Sequence, residues 1–267
     1  MQSWVLVTGG SLRLGREIGL AFARAGWHVL CHYRHSAEAA QALCAQVRAL
    51  GRMAEPIGGN LEGEAACEQV FAAAQAAVAA HGAATDLRAI VHNASLFEPD
   101  HGTDFAEAQA LAQLQVNLLA PMYFGKWLHA LHASAQTTGA PHPSLVHVLD
   151  QKVYNLNPDY FSYTLSKLAL ERAVGLQAQS LAPVLRVNAV APGLLYPSGP
   201  QSEENYQRAA RVNLLREPIN PVEVAEACVY LAQARGITGT ALRVDNGQHL
   251  VPLARDVMFA IDQGLTP

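Results

Sequence analysis

A carboxylate, a phenol and an ammonium are brought together by spacing alone between residues 145 and 167. The apolar run Leu145-Val-His-Val-Leu149 ends in Asp150, and thirteen positions on comes Tyr163-Thr-Leu-Ser-Lys167, inside a stretch with helical spacing. A strand would deliver Asp150 at its carboxyl end. A helix packed back on the sheet would carry Tyr163 and Lys167, four residues apart, on one face. A phenol with an ordinary pKa of about 10 exchanges protons poorly at neutral pH, and a nearby ammonium favours its phenolate. Unit charges about 4 Å apart interact by roughly 4 kcal/mol at intermediate dielectric, enough to matter. The pattern YxxxK is short, however, and also occurs as a chance pair on an exposed helix.

A second group of residues could hold an anion. Trp4-Val-Leu-Val-Thr8 is a short β-branched run that stops at Gly9-Gly10, and a helical pattern runs from Leu14 to Ala25. The turn Thr8-Gly-Gly-Ser-Leu-Arg-Leu-Gly15 would aim backbone N–H groups and a helix start at a pyrophosphate, although it is not GxGxxG and also reads as an ordinary tight turn. Dinucleotide-binding sheets read the ribose at the end of the second strand. Here that position holds His32-Tyr33-Arg34-His35-Ser36, with no Asp or Glu to accept from a 2′-hydroxyl. Arg34 and Ser36 suit a 2′-phosphate, which favours NADPH over NADH; a solvated polar loop is the plainer alternative.

These residues need a scaffold, and the periodicity supplies one. Strands are predicted at 4–8, 27–33, 53–57, 87–92, 144–149, 185–190 and 241–244. Helices are predicted at 14–25, 37–50, 62–80, 104–117, 120–135, around Tyr163, and at 221–234. Alternation of this kind gives an α/β fold, a single Rossmann-type doubly wound parallel sheet with ligands outside the carboxyl ends of its strands. One domain spans residues 1–267, with a looser stretch at about 194–220 covering the substrate. The Ala-rich segment 65–80 needs no disorder, since Ala is the best helix former. The apolar tail segment Val257-Met-Phe-Ala-Ile261 is expected to pack on a neighbouring subunit or on its own domain.

Composition narrows the function classes. At 267 residues and 51% hydrophobic the chain can bury a large core, and a net charge of −4 without a Lys/Arg run argues against nucleic acid. No stretch of about 18 apolar residues suggests a membrane span, and the amino terminus enters a strand at once, so a soluble cytoplasmic protein is expected. Cys31, Cys44, Cys67 and Cys228 show no CxxC pairing and read as buried thiols. No metal is expected: of the eleven histidines, His129 and His132 lie on an apolar helical segment without a third ligand.

The glycine turn, Val91-His-Asn-Ala-Ser95, Asn117, Tyr163, Lys167 and Val190-Ala-Pro-Gly193, in this order, resemble the short-chain dehydrogenase/reductase family over nearly the whole chain. Within it the chain looks most like the branch that reduces pteridines, the pteridine and dihydromonapterin reductases. That likeness rests on TGGSLRLG with Arg13, on HYRHS, on HNASLF at 92–97, and on Asp150 where most members have Ser.

The resemblance implies that Tyr163 is the acid/base, that Lys167 holds the nicotinamide ribose and depresses the tyrosine pKa, and that Asn117 supports a water relay behind Lys167. It places Gly9, Ser11, Arg13, Leu14, Tyr33, Arg34, His35, Ser36, Asn60, Leu61, Asn93, Ala94, Ser95, Pro192, Gly193 and Leu194 along NADPH. It places Arg13, Ser95, Phe97, Asp150 and Tyr163 around the substrate, with Phe97 sandwiching a flat ring against the nicotinamide. Asn60 stands where the family has Asp, which leaves adenine contacts to its amide. Asp150 is either a proton relay to the ring nitrogen or the cap of a following turn.

The implied activity is NADPH-dependent reduction of a dihydropterin, dihydromonapterin or dihydrofolate ring to the tetrahydro form, by a homotetramer. Ketone reduction with the same tyrosine, and a non-catalytic NADP-binding sensor, are the competing readings.

Overall fold

The computed structural model describes residues 2–82, 85–134, 141–199 and 201–265. Seven parallel strands form one sheet: β1 Gln2–Thr8, β2 His28–Tyr33, β3 Ala54–Gly58, β4 Thr85–His92, β5 Ser144–Val148, β6 Arg186–Pro192 and β7 Ala241–Val244. Their order is β3-β2-β1-β4-β5-β6-β7, so the chain reverses direction across the sheet between β1 and β4. That reversal opens a crevice at the carboxyl ends of the strands.

Alternate side chains of each strand feed two apolar layers, as burial on both faces requires. Val5, Val7, Val29, Val146 and Val190 face one layer, together with Leu14, Ile18 and Phe22 of α1 (Arg13–Arg24), Leu43 and Val47 of α2 (Ala37–Ala49), and Val224, Cys228 and Leu231 of α8 (Pro221–Gln233). Trp4, Leu6, Leu30, Ile90, Leu145 and Val187 face the other. There they meet Val70, Phe71 and Ala74 of α3 (Glu64–Ala80) and Phe124 and Leu128 of α5 (Ala120–Ala133). All four cysteines are free and buried.

Three departures from the periodicity bear on the site. The helices expected at 104–117 and 120–135 are one run: α4 (Glu107–Leu114), a π-helical turn at Gln115–Leu119, then α5. The expected end at 135 lies outside the described residues. The loose stretch 194–220 contains α7 (Glu203–Ala209), whose Ser202 side chain accepts from Asn205 N while Glu203 and Glu204 occupy the first turn. Pro200 of that stretch is outside the described residues. The tail forms α9 (Val257–Asp262), and its Val257 and Ile261 pack with Ala209, Leu194 and Val212 of their own chain. Among the described residues no helix is long and apolar enough to cross a membrane.

Candidate active site

A cavity of about 530 Å³ lies at the carboxyl ends of the strands, and every loop that leaves β1 to β6 contributes to its wall. Gly9, Ser11, Arg13 and Leu14 come from the β1 loop, Arg34 from β2, Asn60 and Leu61 from β3, Asn93, Ala94, Ser95 and Phe97 from β4, Asp150 from β5, and Gly193 and Leu194 from β6. Tyr33, His35, Ser36 and Pro192 stand off it. Tyr33 turns its ring against Gly58, and Pro192 is buried at the end of β6.

The glycine turn is shaped by close approach. A Cβ on Gly15 would lie 2.0 Å from Gly9 O and 2.9 Å from Gly10 Cα, and Gly9 itself has φ +59°. α1 begins there with no side-chain cap and no acidic residue in its first turn, so its positive end faces the cavity uncompensated. His32, a residue the sequence reading passed over, ties this turn down. Its Nδ1 accepts from Gly9 N at 3.1 Å, which leaves the proton on Nε2 to donate to Gly59 O at 3.2 Å. Burial lowers its pKa to about 4, so the ring is neutral at pH 7. On the other side, Thr8 Oγ1 accepts from Asn93 N and Ala94 N, each at 3.1 Å, and Asn93 Nδ2 donates to Thr8 O and Gly9 O. Asn60 folds its own loop, its Oδ1 accepting from Leu61 N at 2.8 Å.

The corner read as a phosphate site contains an acid after all. Arg34 Nη2 lies 3.0 Å from Glu62 Oε1, both side chains being partly exposed. Glu62 lies 28 positions beyond Arg34, in the loop after β3, where a search confined to the end of β2 does not reach. An exposed pair of this kind is weak, so Arg34 can exchange this carboxylate for a phosphate.

The chemistry-bearing triad is assembled by β5 and α6 (Phe161–Ser180). Tyr163 Oη donates to Asp150 Oδ2 at 2.7 Å, while Asp150 Oδ1 accepts from Lys152 N at 2.8 Å and caps the 3₁₀ turn Gln151–Tyr154. Relay and cap are therefore compatible, one carboxylate oxygen serving each. Lys167 is buried and donates its Nζ to Val148 O at 2.8 Å, with its ammonium 5.7 Å from the centre of the Tyr163 ring. Spacing suggested a phenol depressed by this lysine, but the structure reverses the sign. Burial and then the Asp150 carboxylate push the Tyr163 phenol well above its ordinary value, and burial brings Lys167 itself down to about 8. Tyr163 is thus held as a phenol that donates.

Asn117 sits in the π-helical turn, a widening that re-aims the side chain. Its Oδ1 accepts from Leu96 N at 2.8 Å and Ser95 Oγ at 3.1 Å, and its Nδ2 donates to Leu96 O and Ser166 Oγ. Its side chain fastens the β4 loop to α6, which makes it a positioning group for Ser95 and Phe97.

Phe97 stands over the triad, edge-to-face with Tyr163 at 4.6 Å and stacked on Tyr160 at 4.0 Å. Tyr160 holds φ +54° at the start of α6, which presents its ring to Phe97. Across the cavity Arg13, at φ +48°, lies 5.8 Å from the Tyr196 ring and so links the glycine turn to the 194–220 stretch. Gln151, Lys152, Gln248 and Asp256 also line the cavity. None of these four was singled out from sequence; Gln248 and Asp256 reach the site only because the tail returns to the cavity, whereas Gln151 and Lys152 directly follow Asp150.

Comparison with known proteins agrees with this geometry. The family described as Enoyl-(Acyl carrier protein) reductase, adh_short_C2, matches residues 13–249. Dihydromonapterin reductase from Citrobacter koseri is 29% identical over 254 residues, 92% of this chain and 96% of its own. The structure of FolM Alternative dihydrofolate reductase 1 from Brucella canis complexed with NADP superimposes with a TM-score of 0.83 at 33% identity, over 93% of this chain and 94% of its own. Angucycline C-6 ketoreductase LanV with bound NADP gives a TM-score of 0.83 at 26% identity, over 93% of this chain and 96% of its own. A match across most of the chain, on a sheet whose reversal point opens beside a tyrosine and lysine one helical turn apart, makes this protein a reductase of the short-chain dehydrogenase/reductase family.

Proposed function

We propose that this reductase carries out NADPH-dependent reduction of a dihydropteridine ring, a dihydropterin, dihydromonapterin or dihydrofolate, to its tetrahydro form. The observation that carries the reading is the 2.7 Å hydrogen bond from Tyr163 to Asp150 beneath the Phe97 ring. Hydride addition to a C=N carbon, as to a ketone, must be matched by one proton on the heteroatom, and here the phenol that would donate it is backed by a carboxylate able to relay the replacement. The likeness to a dihydromonapterin reductase and to a dihydrofolate reductase complexed with NADP supports the same substrate class and coenzyme.

The cleft fits the coenzyme: a Cβ-free cradle at Gly9 and Gly15, the uncapped start of α1, and Arg34 at the ribose corner. Asn60 and Leu61 would flank the adenine, and Asn93, Ala94, Gly193 and Leu194 the nicotinamide half. When bound, NADPH supplies the hydride. Phe97 presents a flat face to the ring, and Arg13 offers forked donors between coenzyme phosphate and substrate. Tyr163 donates the proton, and Asp150, linked to it directly, passes the replacement from solvent. Lys167, buried behind the phenol with its Nζ on Val148 O, would hold the nicotinamide ribose.

Arg34→Ala is expected to weaken NADPH binding roughly ten- to a hundredfold, as loss of a charge-assisted contact does, and to change NADH binding by less than about threefold. Titration of intrinsic fluorescence with each coenzyme reads both constants. Equal losses would place the 2′-phosphate elsewhere.

The likeness to LanV favours ketone reduction as a second reading. Following NADPH oxidation at 340 nm with dihydrobiopterin, dihydromonapterin, dihydrofolate and several ketones separates the two. Turnover of the ketones alone would select the second.

A further inference from the structure

The wall of the cavity also carries a charged pair that the proton path does not use. Lys152, on the 3₁₀ turn after Asp150, is buried to 4% exposure, and its Nζ lies 3.4 Å from Asp256 Oδ2. Asp256 keeps 21% of its side chain exposed and lines the cavity, as Lys152 does.

The tail is held so as to bring this carboxylate there. Asp159, itself fully buried, accepts from Arg255 Nε at 2.9 Å, from Arg255 Nη2 at 2.8 Å and from Asp256 N at 2.7 Å. Two residues of the tail are thereby fixed to the segment between Asp150 and Tyr163.

The pair also has capacity left over. Asp256 Oδ1 caps α9 by accepting from Met258 N at 3.2 Å, and Oδ2 meets Lys152, so each oxygen retains a lone pair. Lys152 spends one donor on Asn157 Oδ1 at 2.5 Å and another on Asp256. Lys152 also lies 5.5 Å from the Tyr160 ring that backs Phe97, which puts the pair at the rim of the ring-binding space. Gln151 lines the cavity, and its Oε1 is buried without a hydrogen-bond partner among the described residues. That atom is closed off from the cavity, so the acceptor a ligand can reach on this wall is the partly exposed Asp256.

We propose that Asp256 is a substrate-positioning carboxylate that accepts from the N–H donors of a 2-amino-4-oxopyrimidine edge, held in place by Lys152. The proposal rests on the pteridine reading above and deepens it. Such an edge carries adjacent N–H groups, on the ring nitrogen and on the exocyclic amine, spaced for a carboxylate. It lies at the far end of the bicycle from the C=N bond being reduced. Anchoring it would set the reacting end against Tyr163. Lys152 acts through Asp256 as a positioning residue.

The test compares wild type, Asp256→Asn and Lys152→Gln on two ring substrates, a dihydropterin with the 2-amino group and the analogue with hydrogen in its place. Asn retains an oxygen for Met258 N, so the cap of α9 survives. Asp256→Asn is expected to raise KM for the amino compound roughly ten- to a hundredfold, with kcat reduced less and the NADPH Kd within about twofold. The analogue should respond by less than about threefold. Lys152→Gln should raise the same KM, and the double variant should be no worse than Asp256→Asn alone, as coupled partners behave. An unchanged KM for the amino compound in Asp256→Asn, or equal losses on both compounds, overturns the proposal while leaving pteridine reduction intact. A wild type that reduces no pteridine but reduces ketones overturns the function reading itself, and this subsite with it.

Discussion

Tyr163→Phe is expected to lower kcat for the dihydropteridine by about 10²- to 10⁴-fold, the usual contribution of a positioned proton donor, and to leave the NADPH Kd within about twofold. The hydroxyl makes its hydrogen bond to Asp150, while the ring packs edge-on against Phe97. Phe preserves that packing and removes only the proton. Single-turnover absorbance at 340 nm, alongside coenzyme titration, checks both halves. A variant that turns over at the wild-type rate would take Tyr163 out of the mechanism.

Asp150→Asn is expected to reduce pteridine turnover by about a hundredfold while sparing the fold. The amide oxygen can still accept from Lys152 N and cap the 3₁₀ turn. Its NH₂ group then faces Tyr163 and donates where the carboxylate accepted. Burial still holds the phenol up, but the added push of the Asp150 carboxylate is lost, so its pKa falls and the basic limb of the kcat profile shifts to lower pH. A pH–rate series on the pteridine checks both the loss and the shift, and a wild-type rate and profile would take Asp150 out of the proton path.

The scaffold and the triad were legible in the sequence for a simple reason. Buried parallel strands are continuous apolar runs, and their loops converge at one sheet edge, so β5 followed by the Tyr163 helix placed Asp150, Tyr163 and Lys167 correctly. The ionisation of the group was not legible. Spacing alone weighs one lysine against one phenol, and the outcome was set by burial together with a carboxylate at hydrogen-bond distance. The contacts of Asn117 were not legible, since apolar spacing does not encode the π-helical turn that swings it onto Ser95 and Leu96. Glu62 and Asp256 were missed because each meets its partner through tertiary contact, across 28 and 104 positions of chain. The Ser202-Glu-Glu signature of α7 was present and passed over.

The imidazole of His32 works as a clasp whose closure depends on acidity. It can accept from Gly9 only while Nδ1 is unprotonated, and its folded pKa of about 4 lies below the ordinary histidine value of about 6.5. Over that interval the unfolded chain binds more protons than the folded one, so stability falls as the medium is acidified from about pH 6.5 towards 4. A second proton on the ring would meet the Gly9 amide donor head-on and expel it. Mild acid should therefore unlatch the first loop before the sheet melts, seen as faster hydrogen exchange at the Gly9 amide than at Val5 or Val7, while the neutral-pH protein keeps all three protected.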